Sequence, residues 1–212
     1  MKTLLQLIVL SIAVALAPLA AADAFDDELL VLQENWAQVQ YQAPDKEKAD
    51  GFERLHEQAV AMAKRYPQRA EPLVWDGIIL STWAGAKGGL GALSLVKQAR
   101  AALESSLAID DMALQGSAYT SLGSLYYQVP GWPIAFGYDD KAEKLLKKAL
   151  AINPDGIDPN FFYADFLKEQ GRDEQALKYF RHADAAQPRP DRPIADQGRH
   201  QDIRRKLEEL NG

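Results

Sequence analysis

The feature that most constrains this chain is a spacing. Ala142, Leu146, Ala149 and Pro154 recur as Ala176, Phe180, Ala183 and Pro188, each partner 34 residues further on. A fixed period of this length marks a helical repeat whose units bury their apolar faces only by stacking on one another. The alanines let two helices approach closely, Leu146 and Phe180 fill the groove between them, and the proline stops the second helix. Fainter copies stand upstream. Ser106 to Asp111 aligns with Ala149 to Pro154, which sets Ala99 and Leu103 where Ala142 and Leu146 stand. Leu55, Ala59 and Met62 hold the same offsets before Pro67. The spacings there are longer, 44 residues from Pro67 to Asp111 and 43 from Asp111 to Pro154. Two units therefore carry insertions, expected as interhelical turns over 85–91 and 129–138.

The first helices of the units fit as well. Tyr119, Leu122, Gly123 and Tyr126 follow a W-x2-L-G-x2-Y spacing with Tyr in place of Trp, and Asn160, Tyr163, Ala164 and Leu167 follow it more loosely. This pattern resembles the tetratricopeptide repeat. The resemblance implies an all-α fold, a right-handed superhelical solenoid of antiparallel helix pairs. Nine helices are expected, over 26–41, 50–66, 71–84, 92–109, 112–128, 139–152, 159–170, 173–186 and 195–210. They make one domain over 23–212, about four helix pairs and a capping helix. Leu29, Leu32, Trp36 and Val39 give the first helix its apolar stripe. The last helix has one apolar edge, Ile203, Leu207 and Leu210, and is otherwise charged, as a cap on an open solenoid end should be. Gln187 to Pro193, with three prolines, is a stiff connector before it.

Residues 1–22 read as a signal peptide: Lys2 supplies a positive start, Leu4 to Ala17 an apolar run, and Ala20-Ala21-Ala22 a small-residue cleavage site. The expected location is the periplasm, without a lipid anchor, since the chain has no cysteine to acylate. The same absence removes disulfides, thiolate metal sites and cysteine nucleophiles. With three histidines far apart in sequence, no metal is expected. A formal net charge of −6 argues against nucleic acid as a partner, because binding it needs a basic face that displaces counterions.

Motifs that carry chemistry are missing. There is no nucleophile elbow, HExxH, Walker loop or dinucleotide fingerprint. The glycines of 85–91 lack phosphate-loop spacing and follow a helix rather than a strand, so they read as a flexible turn. Asn153 to Asp158 fails the calcium-loop pattern and reads as a helix stop, an Asp-Gly turn and a cap at Asp158. The Asp110-Asp111 and Asp139-Asp140 pairs read as helix-boundary residues. The protein is expected to be non-enzymatic and to need no cofactor.

Aromatic residues outside the helical periodicity are the distinctive feature. Turns are normally polar, since they run over the surface, yet residues 129–138 read Val-Pro-Gly-Trp-Pro-Ile-Ala-Phe-Gly-Tyr. The candidate binding residues are therefore Trp132, Pro133, Phe136 and Tyr138 on this insertion, with Trp83 and Lys87 beside the other. Tyr126, Tyr127, Phe161 and Tyr163 join them at the solenoid edge or inner groove. Rigid aromatics suit recognition. The same residues could equally fold inward and plug a gap between repeats.

A second resemblance rests on longer strings. Pro-Gly-Trp-Pro then Phe-Gly at 130–137, Lys-Ala-x-x-Leu-Leu-x-x-Ala-Leu at 141–150 and Asn-Pro-Asp-Gly-Ile-Asp at 153–158 look like the T-component family of TRAP transporters. Asn160-Phe161-Phe162-Tyr163 followed by Asp165-Phe166-Leu167 does too. That resemblance implies a helical periplasmic trimer associated with a solute-binding protein, with an apolar ligand passing through a pore. The chain lacks the lipobox cysteine of anchored members. Two functions follow as expectations. One is a periplasmic scaffold that binds another protein through its concave face and aromatic loops. The other is a ligand-handling accessory whose apolar passage is lined by Trp83, Tyr126, Trp132 and Phe136.

Overall fold

The second-helix positions singled out by the repeat are where the core lies. In a computed structural model that describes residues 24–211, Ala99, Leu103, Ala142, Leu146, Ala149, Ala176, Phe180 and Ala183 are all fully buried. Leu55, Ala59 and Met62 are buried in the same register, and Ser106 fills a small-residue slot by donating its hydroxyl to the Leu103 carbonyl. Nine helices run through the described residues. They are α1 (24–41), α2 (Asp45–Arg65), α3 (Glu71–Lys87), α4 (Gly89–Ile109), α5 (Ala113–Gln128), α6 (Asp139–Ile152), α7 (Ile157–Glu169), α8 (Asp173–Asp184) and α9 (Pro193–Asn211). The leader expected over 1–22 lies outside the described residues.

Helix pairs α3–α4, α5–α6 and α7–α8 pack most extensively, and α3, α5, α7 and α9 then touch in succession as the first helices of a solenoid. Close approach inside each pair needs a small residue on the first helix. A methyl group on Gly77 would stand 2.8 Å from Leu103 Cδ2, and one on Gly123 2.8 Å from Leu146 Cδ2. The turn from α7 to α8 closes by paired hydrogen bonds. Arg172 N–H donates to Leu167 O and Gly171 N–H to Lys168 O, with Gly171 at φ +67°. That is the left-handed C-terminal cap that glycine adopts without strain.

The two insertions part company. Residues 85–91, expected as a flexible turn, are almost wholly helical: α3 continues through Lys87, α4 begins at Gly89, and only Gly88 (φ +62°) intervenes. Extra helical turns absorb the added length, because Ala84, Ala86 and Lys87 sustain a helix and two glycines in the left-handed region make the reversal alone. Residues 129–138 do form a loop, and an isolated bridge joins Gly131 to Gly137 within it.

The last helix does more than cover an open end. Gly198 lies 34 residues after Ala164, in the slot that Gly77 and Gly123 occupy in their own helices. Tyr41, at the end of α1, fills it: a methyl on Gly198 would stand 2.5 Å from Tyr41 Cε1 and closer still to Cγ and Cδ1. A small cavity between Gln33, Ala37 and Gln38 of α1 and Pro193 to Ala195 of α9 marks the same junction. The first and last helices of the array thus meet, and the solenoid curls back on itself.

Candidate functional site

Closure of the array encloses an inner groove of about 1340 Å³. The inward faces of α1, α3, α5 and α7 make its wall, and the connector 187–192 with α9 closes it. Trp36 of α1 and Trp75 of α3 meet edge to face at 5.5 Å, and Trp36 Nε1–H donates to Thr82 Oγ1 at 3.1 Å. Along α5, Ser117, Thr120, Ser121, Ser124 and Gln128 recur at helical spacing and line the groove. Ser117 and Ser124 donate their hydroxyl protons to the helix carbonyls of Leu114 and Ser121, which leaves their oxygens as acceptors. The first turn of α5 is left-handed at Leu114 (φ 49°), Gln115 (φ 55°) and Gly116, and it sets Leu114 and Gln115 in the groove wall. Two non-glycine residues in that region cost roughly 1–2 kcal/mol each.

Charge is concentrated where α9 closes the groove. Asp158 accepts from Arg189 Nη1 at 2.8 Å and Arg199 Nε at 2.9 Å. Burial alone would raise the Asp158 pKa, but the charges of Arg199, Arg189 and Arg192 hold it well below the usual carboxylate range. Arg189 also holds Asp196 through its backbone N–H and Nε, and Arg199 reaches Asp202. The Arg199 guanidinium lies over the rings of Phe161, at 4.2 Å, and Phe162, at 4.9 Å. Nearby, Tyr127 donates to Asp165 at 2.8 Å, and burial followed by the Asp165 charge pushes that phenol well above its ordinary pKa.

The sequence-predicted residues fall in several places. Of the ten, Phe161 lines the groove. Tyr127 and Tyr163 are internal: Tyr127 stacks edge-on against Phe166, and Tyr163 against Tyr179 with its hydroxyl donating to Glu143. Trp83 is buried on α3 beside His56 at 6.0 Å, with the Lys87 ammonium 5.2 Å from its ring. Tyr126 is buried against Phe136 at 5.4 Å, its hydroxyl accepts from Lys141, and the Arg100 guanidinium of α4 lies over the Phe136 ring at 4.7 Å. Pro133, Trp132 and Tyr138 are exposed. The passage expected from Trp83, Tyr126, Trp132 and Phe136 is therefore not what lines the inner groove. Trp83 and Tyr126 are buried near the C-terminal ends of α3 and α5, and Trp132 and Phe136 lie in the loop after α5, whereas the groove is lined by the inward side of the first helices.

The 129–138 loop splits into an inner and an outer side. Gly137 N–H donates to Pro130 O at 2.9 Å and Tyr138 N–H to Tyr126 O at 2.8 Å, which pins both ends. Gly137 is required there, since a Cβ would run into the Val129 carbonyl. Phe136 turns inward. Trp132 (89% exposed), Ile134 (61%) and Tyr138 (58%) turn outward.

Each histidine pairs with an aspartate: His56 with Asp76 at 2.6 Å, His182 with Asp155 at 3.0 Å and His200 with Asp184 at 2.9 Å. Burial raises the Asp76 pKa against the pull of His56. None of the three imidazoles bonds a hydroxyl among the described residues, so no nucleophile–base pair is formed there. Among the described residues no helix is long and apolar enough to cross a membrane.

Residues 140–208, from α6 to α9, match the family model of the tetratricopeptide repeat. This stretch, α6 to α9, is of the tetratricopeptide type, and the described residues around it are all-helical in the same way. Repeats of this kind are generally scaffolds for protein partners rather than enzymes. No curated protein matches the chain. Sequence reasoning missed Tyr41, Trp75, Arg192 and Arg199 as groove residues. The arginine- and proline-rich connector carried a signal, but only the contact between α1 and α9 shows which way it faces.

Proposed function

We propose that the protein is a non-enzymatic periplasmic scaffold that binds another protein, with the outer side of the 129–138 loop as its anchor and the inner groove as its second contact. The observation that carries this reading is Trp132. A tryptophan exposed to 89% on a loop held at both ends by backbone hydrogen bonds is not a core plug. Its neighbours Ile134 and Tyr138 extend the apolar surface. Exposed apolar patches on ordered backbone mark interaction sites, and rigid aromatics lose little entropy on binding. The Phe136 side of the same loop, packed on Tyr126 and Arg100, supplies the rigidity.

The test is a photoreactive phenylalanine analogue placed at position 132, with exposed Glu53 of α2 as the control position. Illumination in the periplasm should give one defined adduct from position 132 and none from position 53. Trp132→Ala should weaken capture by that partner about 30-fold, the scale of a hot spot worth about 2 kcal/mol, and leave the melting temperature unchanged. Absence of an adduct, or a fall of several degrees in Trp132→Ala, would overturn the reading.

A further inference from the structure

Two hydrogen-bond donors, on neighbouring side chains that line the inner groove, meet no partner among the described residues. Trp75 is 3% exposed, and its Nε1–H meets no acceptor among the described residues. Arg192 Nε is buried and equally unmatched. The Arg192 guanidinium carbon lies 4.9 Å from the centroid of the Trp75 ring, and both residues line the groove. Buried indole and guanidinium donors are ordinarily satisfied, because an unmatched one forfeits the bond it made to water.

Charge singles out the same place. The connector and α9 bring four arginines to this end of the groove, Arg189, Arg192, Arg199 and Arg205. Arg189 holds Asp158 and Asp196, Arg199 holds Asp158 and Asp202, and Arg205 holds Asp202. Among the described residues no carboxylate pairs with Arg192. Burial and then the neighbouring Arg189 charge lower its pKa, against the opposing charges of Asp158 and Asp196. The guanidinium thus lies over an aromatic face with its buried Nε donor unspent, and a planar fork of this kind receives a planar anion through two parallel bonds. Apolar side chains are part of the same lining: Trp36 meets Trp75 at 5.5 Å, and Phe52 and Ile78 line the groove with polar neighbours such as Gln33 and Thr82.

We propose that Trp75 Nε1 and the Arg192 guanidinium form a carboxylate-binding subsite of the inner groove, taking a carboxylate carried on an apolar body. The carboxylate oxygens accept from the arginine fork and the indole N–H, and the body lies against Trp36, Phe52 and Ile78. The carboxylate is that of a free organic acid or of a peptide chain. The subsite is separate from the Trp132 surface and stands or falls without it.

The test follows the indole N–H resonance of Trp75 in the ¹⁵N-labelled protein, assigned by its loss in Trp75→Phe. One arm titrates hexanoate against hexanamide. The other titrates a short leucine-ended peptide as free acid against the same peptide amidated at its C-terminus. At least one carboxylate should shift the resonance saturably, while its neutral amide does not. Saturation by hexanoate alone assigns a small acid, and saturation by the peptide acid assigns a chain terminus. Affinity should fall about ten-fold or more in Arg192→Gln, the scale of a lost charge-assisted bond. Arg192→Lys keeps the charge without the fork and should fall between, which serves where the glutamine variant fails to fold. No saturable shift with either carboxylate, equal shifts with the amides, or undiminished binding by a folded Arg192 variant would each overturn the proposal.

Discussion

Adding one methyl group at Gly198 tests the closure of the array directly. Glycine inside a helix costs about 1 kcal/mol relative to alanine, so Gly→Ala stabilises wherever there is room. Gly85 of α3 has room: it is exposed, and a methyl there meets nothing within 4 Å. Gly198 does not, because its methyl would stand 2.5 Å from Tyr41 Cε1 with two further ring atoms closer. The obstacle is a rigid ring backed by Trp36 at 5.9 Å, not the end of a flexible chain. Overpacking of this kind costs about 1–3 kcal/mol. With about 2 kcal/mol lost to the clash and about 1 kcal/mol gained in helix propensity, Gly198→Ala should lose about 1 kcal/mol. Gly85→Ala should gain about the same, so the two variants differ by about 2 kcal/mol, or about 4–8 °C in melting temperature for a chain of this size. Thermal unfolding followed by circular dichroism measures both. If Gly198→Ala melts as high as Gly85→Ala, α9 is not seated on α1 and the groove is not closed as described.

Other outcomes are checked as directly. Hydrogen bonds from Arg172, then the Lys147 contact, hold the Glu143 pKa at about 2 against an ordinary 4.5. A folded pKa depressed in this way contributes stability that is complete above about pH 4.5 and lost as pH falls towards 2. Glu143→Gln should therefore lower the melting temperature at pH 7, and its deficit should shrink steadily in titrations from pH 4.5 to 2. Asp158→Ala leaves Arg189 and Arg199 without their shared carboxylate and should cost about 3 kcal/mol. It should also speed limited proteolysis within the 187–192 connector, and unchanged cleavage there would show that the ion pairs do not hold it. Gly123→Val drives a branched side chain into Leu146, which a methyl already meets at 2.8 Å, and should destabilise by about 3 kcal/mol in urea unfolding.

Much of the architecture was legible from residue type at fixed spacing. Small residues at Ala142, Ala149, Ala176 and Ala183 and bulky ones at Leu146 and Phe180 are demanded by helix contact inside one unit. Such contacts are local, so one period of sequence carries them. Helix ends marked by Pro67, Asp139 and Gly171 followed for the same reason, since these residues act on their own few neighbours, whereas α2 begins at Asp45 rather than 50 and α3 and α4 extend to Lys87 and from Gly89. Length inserted between units was legible, but not its form: 85–91 became helix and 129–138 a loop, and both strings are rich in glycine or proline.

Within the aromatic loop, sequence could not tell Phe136 from Trp132. Four residues apart, they face opposite ways because the backbone pairs Gly137 with Pro130 and carries Phe136 onto Tyr126. The inner groove was the least legible part. Trp36, Tyr41 and Trp75 each read as one more aromatic residue on an amphipathic helix. They line a common groove only because the curvature summed over the nine helices brings α9 back to α1, and that sum is a property of every interface at once. Residue type and spacing are enough to set the repeat, the helix pairs and the buried face of each, because those rest on contacts within a unit. That Tyr41 fills the slot at Gly198 and Arg192 lies over Trp75 emerges only from the assembled array, because those contacts join residues more than a hundred positions apart.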